Sequence, residues 1–271
     1  MRPIAQLFQH PGKKLVPFIT AGYPKLESTA EMVLAAVEGG ADMVEIGMPF
    51  SDPLADGPVI QEASGRAIQN GITIDGILQS VRQIREETDT PLVLMGYINP
   101  LIRYGFDRFI THTGESGVNG LILPDLPPEE GEEYYQRIKA GGLSPVLLVA
   151  PNTGSGRMQR LGGLAEDLLY AVSILGITGS SHGRNRKLSE YLGKLRENTS
   201  VPFIVGFGIS SPEDVRQVAP HADGVVVGSA LLRTIREASA PKQAVRQFIG
   251  ELKSALGEIE EQLGGTRRRT E

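Results

Sequence analysis

The stretch LVPFITAGYPKLESTAEMVLAAVEGGADMVEIGMP, residues 15–49, predicts a strand, a helix and a second strand. Its two ends, 15–21 and 43–49, are nearly continuous apolar runs, whereas residues 26–40 space their apolar side chains as one face of a helix does. Strands that are apolar along their whole length are typical of a parallel sheet with helices on both faces. The stretch therefore predicts one β-α-β unit of an α/β protein.

The same alternation continues to the end of the chain. Amphipathic segments such as 76–88, 129–142, 187–199 and 211–219 separate six further apolar runs, at 91–97, 120–126, 144–150, 167–174, 202–208 and 224–230. Eight strand–helix units in 271 residues predict a single (β/α)8 barrel, the TIM barrel. A doubly wound open sheet is the alternative, because strand counting does not show closure. No linker divides the chain, so we expect one domain over 1–263 and a disordered, arginine-rich tail over 264–271.

The composition is that of a cytoplasmic protein without a nucleic-acid or membrane partner. The net charge is −5 and 40% of the residues are hydrophobic, so the chain has ample material for a core and no basic footprint for nucleic acid or anionic lipid. The amino terminus has no apolar segment of the kind that directs secretion. Cysteine is absent, which excludes disulfides and thiolate metal sites.

An acidic residue, Glu45, interrupts the apolar second strand. Strand alternation places Glu45 on the same face as Met43 and Gly47, and one face of a barrel strand points into the barrel. A carboxylate inside a barrel without a cation partner has a raised pKa, which suits a group that both gives and takes protons. The alternative is a structural acid bonded to backbone amides or to an arginine.

The loop after this strand, PFSDPLADGP, carries further carboxylates among prolines and glycines that turn the backbone. Asp56 follows Glu45 by few enough residues to return across the end of the strand. Taken singly, Asp52 and Asp56 are each typical of a turn or a helix cap. Two carboxylates in different environments at one strand end, however, are how acid and base roles are divided in enzymes.

Glycines at the ends of the last two strands predict a phosphate site. GFGIS (206–210) ends the seventh strand and VGSA (227–230) ends the eighth, just before a helix. Backbone N–H groups and a helix N-terminus bind anions, and barrels often use these two loops for phosphate. Taken singly, each glycine motif is also typical of a tight turn. The Gly/Ser-rich segment 175–185, after the sixth strand, is typical of a mobile lid, and an ordinary exposed loop is the alternative.

Other side chains narrow the chemistry. No lysine lies within the predicted strands, so a Schiff-base mechanism has no candidate. The four histidines are scattered without ligand spacing, which predicts no metal site. A phosphate-bearing substrate and two proton-transferring carboxylates remain. Such a site can cleave a C–C bond only if the substrate supplies its own electron sink.

At this point the sequence resembles the tryptophan synthase alpha chain family. The resemblance rests on VEIGMPFSDPLADG and extends along the chain through FITAGYP, LILPDLPPEE, GITG, GFGIS and GSA. It implies a (β/α)8 barrel that splits indole-3-glycerol phosphate into indole and glyceraldehyde 3-phosphate, with indole as the electron sink. It also implies an alpha2beta2 heterotetramer with a beta chain that uses indole and carries pyridoxal phosphate, and no cofactor in this chain.

The resemblance implies a role for each matching residue. Glu45 protonates indole C3 and assists loss of the hydroxyl proton, Asp56 accepts from the indole N–H, and Thr178 closes the lid over Asp56. The indole pocket is lined by Phe18, Ile122 and Tyr170, and the phosphate is held by Gly179, Gly206, Phe207, Gly208, Gly228 and Ser229. The alternatives are a freestanding indole-glycerol phosphate lyase, a regulatory subunit that mainly activates a partner, and another phosphate-binding barrel such as an isomerase.

Overall fold

The computed structural model describes residues 1–172, 181–206 and 208–267 of the chain. Its strands are β1 (Lys14–Thr20), β2 (Val44–Gly47), β3 (Leu92–Met95), β4 (Gly120–Ile122), β5 (Ser144–Pro145), β6 (Leu147–Val149), β7 (Leu169–Val172), β8 (Phe203–Gly206) and β9 (Gly224–Val227). Its α-helices are α1 (Pro3–Gln9), α2 (Ser28–Glu38), α3 (Pro58–Gln69), α4 (Ile74–Arg85), α5 (Ile98–Tyr104), α6 (Phe106–Glu115), α7 (Pro128–Ala140), α8 (Ser155–Ala165), α9 (Ser181–Asn198), α10 (Pro212–Val218), α11 (Ser229–Glu237) and α12 (Pro241–Arg267).

The sheet closes on itself, and the prediction of a (β/α)8 barrel is confirmed. All strand pairs are parallel, and β1 lies between β2 and β9. β5 pairs with β4 while β6 pairs with β7, and only Val146 separates the two segments. The N–H of Val146 bonds to the carbonyl of Leu121 at 2.9 Å, so β5 and β6 are two parts of one barrel strand that pairs on both sides. The open-sheet alternative is therefore wrong.

Each predicted apolar run contains a strand, although several observed strands end earlier. The run 43–49, for example, leaves the ladder after Gly47, because Met48 and Pro49 already enter the following loop. The predicted start of the first strand is also wrong, because the observed strand begins one residue before the run 15–21. β1 begins at Lys14, so a lysine does lie in a strand. The Lys14 ammonium donates to the carbonyl of Pro11 at the amino end of the barrel, opposite the carboxyl ends where barrel enzymes place their sites.

The register brings specific side chains to one level inside the barrel. Phe18 of β1 pairs with Glu45 of β2, and Glu45 pairs with Val93 of β3. On the opposite wall Tyr170 of β7 pairs with Ile204 of β8. Because alternate residues of a strand point to the same face, these residues share the barrel interior. Glu45 is thus the one carboxylate within this described layer of apolar and aromatic side chains.

Helix α1 covers the amino end of the barrel. Ile4 is fully buried there and lies against Gly120, where an added Cβ would come within 2.8 Å of the Ile4 side chain. Arg2 pairs with Asp167 at 2.6 Å, and Asp167 also accepts from the Ser144 hydroxyl at 2.5 Å. The opposite end, formed by the carboxyl ends of the strands, is left for the loops that carry the candidate site.

Two crossovers contain an additional helix. Both α3 and α4 lie between β2 and β3, and both α5 and α6 lie between β3 and β4. Because α3 begins at Pro58, the loop after β2 is confined to residues 48–57. Helix α12 extends to Arg267, and the proposed division between the domain and its tail at residue 263 stays a prediction. Across the described ranges, the helices include none long and apolar enough to cross a membrane.

Candidate active site

Glu45 lies in the barrel wall with no hydrogen-bond partner for either carboxyl oxygen among the described residues. Glu45 is only 1% exposed. Burial, and then the negative charge of Asp56, raise the pKa of Glu45 to about 8. A carboxyl with this pKa is mostly protonated at neutral pH and can act as a general acid. In the part of the chain that the structure describes, the alternative of a structural acid held by amides or an arginine has no supporting contact.

Asp56 comes toward Glu45 on the loop 48–57, which we call the acidic loop. Burial raises the pKa of Asp56 to about 6, although a hydrogen bond from the hydroxyl of Tyr97 acts in the opposite direction. At neutral pH Asp56 is therefore largely ionised while Glu45 largely keeps its proton. The two carboxyls thus differ in charge state, as separate acid and acceptor roles require.

Tyr97 holds the acidic loop against the third barrel strand. Its hydroxyl donates to the Asp56 carboxylate and accepts from the backbone N–H of Ala55 at 3.0 Å. Its ring packs against Phe50 of the same loop with ring centroids 5.1 Å apart. Burial, and then the charge of Asp56, raise the pKa of Tyr97 to about 12, so the hydroxyl keeps its proton and remains a donor.

The sequence analysis did not identify Tyr97 as a functional residue. The available signal was its position at the end of the apolar run 91–97, at the same edge of the sheet as the loop after Glu45. That position predicts that the Tyr97 hydroxyl lies at this edge of the sheet. It does not give the pairing with Asp56, which depends on how the acidic loop folds back.

The residues predicted to line an indole pocket lie on three parts of the barrel wall. Phe18 is buried, and its ring occupies the space over Gly47, where an added side chain would collide with it. Ile122 is buried at the end of β4 and pairs with Met95 of β3. Tyr170 faces the interior from β7. Burial of its hydroxyl, and then the charges of Glu45 and Asp56, raise the pKa of Tyr170 well above its usual value, so this hydroxyl stays neutral.

The residues predicted to hold phosphate occupy the ends of β8 and β9. Gly228 follows β9 directly, and Ser229 begins helix α11, whose N-terminus lies at the carboxyl edge of the sheet. Gly208 has a φ of +61°, a conformation that favours glycine, and among the described residues beyond its chain neighbours no atom lies within 4 Å of where its Cβ would be. Gly206 differs, since a Cβ there would lie 2.5 Å from the Tyr170 hydroxyl. Its missing side chain makes room for Tyr170.

Three of the predicted site residues, Thr178, Gly179 and Phe207, lie outside the described residues, as does most of the predicted lid at 175–185. The end of that predicted lid is a correction, because Ser181 already begins helix α9 and residues 181–185 are helical. Over the described ranges, His, Asp and Glu side chains form no group of three or more able to hold a metal ion.

The arrangement can transfer protons to and from an apolar substrate that carries an anion. A neutral acid and an ionised carboxylate lie on one side of the barrel mouth, next to the aromatic ring of Phe18. On the other side of β1 lie β9 and β8, with glycines at their carboxyl ends. The N-terminus of α11 follows β9 there. Backbone N–H groups in such a setting favour an anion such as phosphate.

Comparison with known proteins shows which family the chain is similar to. The family model described as "Tryptophan synthase alpha chain" matches residues 4–261. The tryptophan synthase alpha chain of Petrotoga mobilis is 43% identical over 257 residues, which cover 93% of this chain and 99% of that protein. The crystal structure of tryptophan synthase subunit alpha from Legionella pneumophila superposes with a TM-score of 0.89 at 37% identity, covering 95% of this chain and 99% of the other. A chain in the crystal structure of a tryptophan synthase complex from Pyrococcus furiosus superposes with a TM-score of 0.83 at 33% identity, covering 90% and 98%.

Proposed function

The chain belongs to the tryptophan synthase alpha chain family, and on that premise we propose that it cleaves indole-3-glycerol phosphate into indole and glyceraldehyde 3-phosphate. The observation that carries this proposal is the pair of carboxyls with raised pKa values, Glu45 and Asp56, at the mouth of a closed barrel. The reaction is a lyase step that needs a general acid, a general base and a negative charge that stabilises the positive charge formed on the ring. The pair supplies all three.

In the proposed mechanism, Glu45 gives its proton to C3 of the indole ring. The positive charge that results is centred on the ring nitrogen, whose N–H donates to the Asp56 carboxylate. The Glu45 carboxylate then takes the proton of the chain hydroxyl next to the ring. The C–C bond breaks, its electron pair returns to the ring as indole, and the hydroxyl carbon becomes the aldehyde. Glu45 ends the cycle with a proton, so no cofactor is consumed.

The other site residues bind different parts of the substrate. Phe18, Ile122 and Tyr170 hold the indole ring, and Tyr97 keeps Asp56 turned toward the ring nitrogen through its hydrogen bond. The phosphate binds to the strand ends and helix α11 through Gly206, Phe207, Gly208, Gly228 and Ser229, together with Gly179. Thr178 closes over Asp56 once the substrate is bound.

We also propose that the chain works in the cytoplasm with a beta chain as an alpha2beta2 heterotetramer, in which pyridoxal phosphate belongs to the beta chain. The complex from Pyrococcus furiosus supports a partner of this kind. The acidic loop supplies a suitable surface, since Leu54 at its tip is 95% exposed beside Pro53. A partner docked over the mouth of the site would bury this apolar side chain, and burial of apolar surface favours association. Indole is apolar and membrane-permeable, so direct transfer to the partner prevents its loss.

The decisive experiment measures indole release from indole-3-glycerol phosphate by the purified chain, with and without a beta chain. Glu45→Gln should lower the rate of cleavage by about 10² or more, the usual scale of acid–base catalysis, with the fold intact. Glu115→Gln, on the exposed face of α6, is the matched control and should keep wild-type activity. Normal turnover by a folded Glu45→Gln protein would overturn the assignment. Full activity without the beta chain would instead favour a freestanding lyase.

A further inference from the structure

Among the described residues, a threonine at the mouth of the barrel has a buried hydroxyl without a hydrogen-bond partner. Within the described ranges, the buried side-chain atoms that lack a hydrogen-bond partner belong to Glu45, Thr20 and Thr113. Thr20 is 1% exposed and Thr113 is fully buried. Burying a hydroxyl without a hydrogen bond costs free energy, so such groups in folded proteins need a reason. Glu45 has one in the proposed chemistry, and Thr20 is its neighbour.

Thr20 lies on the same face of the barrel wall as the proposed site. It is the last residue of β1, two positions beyond Phe18, and it pairs with Gly47 of β2 in register. Alternation along the strand turns its side chain to the interior, as it does for Phe18. Thr20 therefore stands one level nearer the mouth than Phe18 and diagonally across from Glu45.

The backbone around Thr20 is already hydrogen-bonded. The carbonyl of Thr20 accepts from the N–H of Tyr23 at 3.3 Å, and the carbonyl of Gly47 accepts from the N–H of Ala21 at 3.0 Å. These bonds fix the end of the strand, and the side-chain hydroxyl of Thr20 is left without a partner in the part of the chain that the structure describes. Threonine is also stiff about its first side-chain torsion, so the hydroxyl is held rather than mobile.

The strand order places Thr20 between the two halves of the proposed site. β1 lies between β2, which carries Glu45, and β9, which leads into Gly228 and Ser229. A ligand with its ring beside Glu45 and its phosphate at the N-terminus of α11 must lay the connecting chain across the end of β1. The connecting chain of indole-3-glycerol phosphate carries two hydroxyls, and each can donate or accept a hydrogen bond.

We propose that Thr20 is a substrate-binding residue whose hydroxyl hydrogen-bonds to the hydroxylated three-carbon chain between the indole ring and the phosphate. This inference rests on the proposed function and adds a specificity determinant to it. A ligand hydroxyl completes the hydrogen bonding of Thr20, so the site favours the glycerol chain over an unsubstituted propyl chain of the same length.

The test is Thr20→Val, which keeps the shape and removes the hydroxyl. We expect kcat/KM for indole-3-glycerol phosphate to fall about tenfold, the scale of one neutral hydrogen bond, and Thr20→Ser to restore most of it. The affinity for the analogue in which a propyl chain replaces the glycerol chain should not change. The Tm of Thr20→Val should equal or exceed that of the wild type, because a valine has no hydroxyl to leave unpaired.

Thr113→Val is the matched control, because Thr113 carries the other hydroxyl that is buried without a partner in the described ranges, and it lies on α6, away from the mouth. It should show the same Tm behaviour and wild-type activity. If the wild type cleaves substrate and Thr20→Val matches it, the inference about Thr20 alone is overturned. Equal losses for the natural substrate and the propyl analogue would also overturn it, since they would indicate altered packing. A wild type that releases no indole overturns the proposed function, and the inference with it.

Discussion

Replacing Glu45 by glutamine should make the stability of the protein less dependent on pH. The pKa of Glu45 rises from 4.5 to about 8 in the folded protein. Between these two values the unfolded chain is ionised at this position, while the folded chain keeps its proton. The unfolded state therefore binds fewer protons, and the free energy of unfolding falls as the pH rises through this window. Below the window both states are protonated and the penalty is absent.

The size of the effect follows from the pKa difference. Each pKa unit corresponds to about 1.4 kcal/mol, so the wild type should lose about 4 kcal/mol at this position between about pH 5 and about pH 9. Glutamine has nearly the size of a protonated glutamic acid and does not titrate. Asp56 is present in both proteins, so its own titration largely cancels. The stability of Glu45→Gln relative to the wild type should therefore grow by about 4 kcal/mol over this range.

Urea denaturation followed by circular dichroism measures this difference at each pH. The slopes of the unfolding free energy against urea should agree between the two proteins, which shows that they expose the same surface on unfolding. Glu115→Gln serves again as the control and should follow the wild type at every pH. A difference between Glu45→Gln and wild type that stays constant within about 1 kcal/mol would refute the raised pKa. The assignment of Glu45 as a neutral acid would then fail too.

Four further outcomes are expected. Tyr97→Phe removes a hydrogen bond that lowers the pKa of Asp56, so the acidic limb of the pH profile of kcat/KM should move upward from about 6, whereas Tyr135→Phe should leave it in place. Asp56→Asn should impair cleavage while inorganic phosphate binds as before; parallel loss of both in titration calorimetry would show that the two sites are misplaced. Gly208→Val should weaken the binding of inorganic phosphate, because a branched side chain disfavours the φ of +61° and enters space that the described residues leave open. A beta chain should slow hydrogen exchange in the acidic loop and raise the cleavage rate, and an unchanged loop would contradict docking at the mouth.

Much of the fold was predictable because the strands are apolar throughout and the helices are amphipathic. What the sequence could not give was closure. The decisive contact is the pairing of one interrupted strand with both neighbours around Val146, and this depends on the stagger of the whole sheet. The additional helices α3 and α5 were also not separated from their neighbours, since strand counting treats each crossover as one unit.

The site divides in the same way. The positions of Glu45 within the second strand and of Asp56 in the next loop follow from local pattern, and the structure brings both to the mouth. The contact of Tyr97 with Asp56, and the packing of Tyr170 against Gly206, join residues far apart in the chain. Neither contact has a local signature. Gly206 shows the limit clearly, since a strand-end glycine predicts an anion site and here also accommodates an aromatic side chain.

The pairing of β1 with β9 has a consequence for how the protein is made. Residues 14–17 of β1 find their partners only at 224–227, roughly 200 residues later in synthesis. At about 5–20 residues per second, the apolar edge of β1 waits on the order of tens of seconds on the ribosome before its partner exists. Nascent chains that do not yet include β9 cannot close the barrel. They expose a strand edge that favours aggregation. Chaperone binding to ribosome-bound chains should therefore persist until β9 has emerged and then decline.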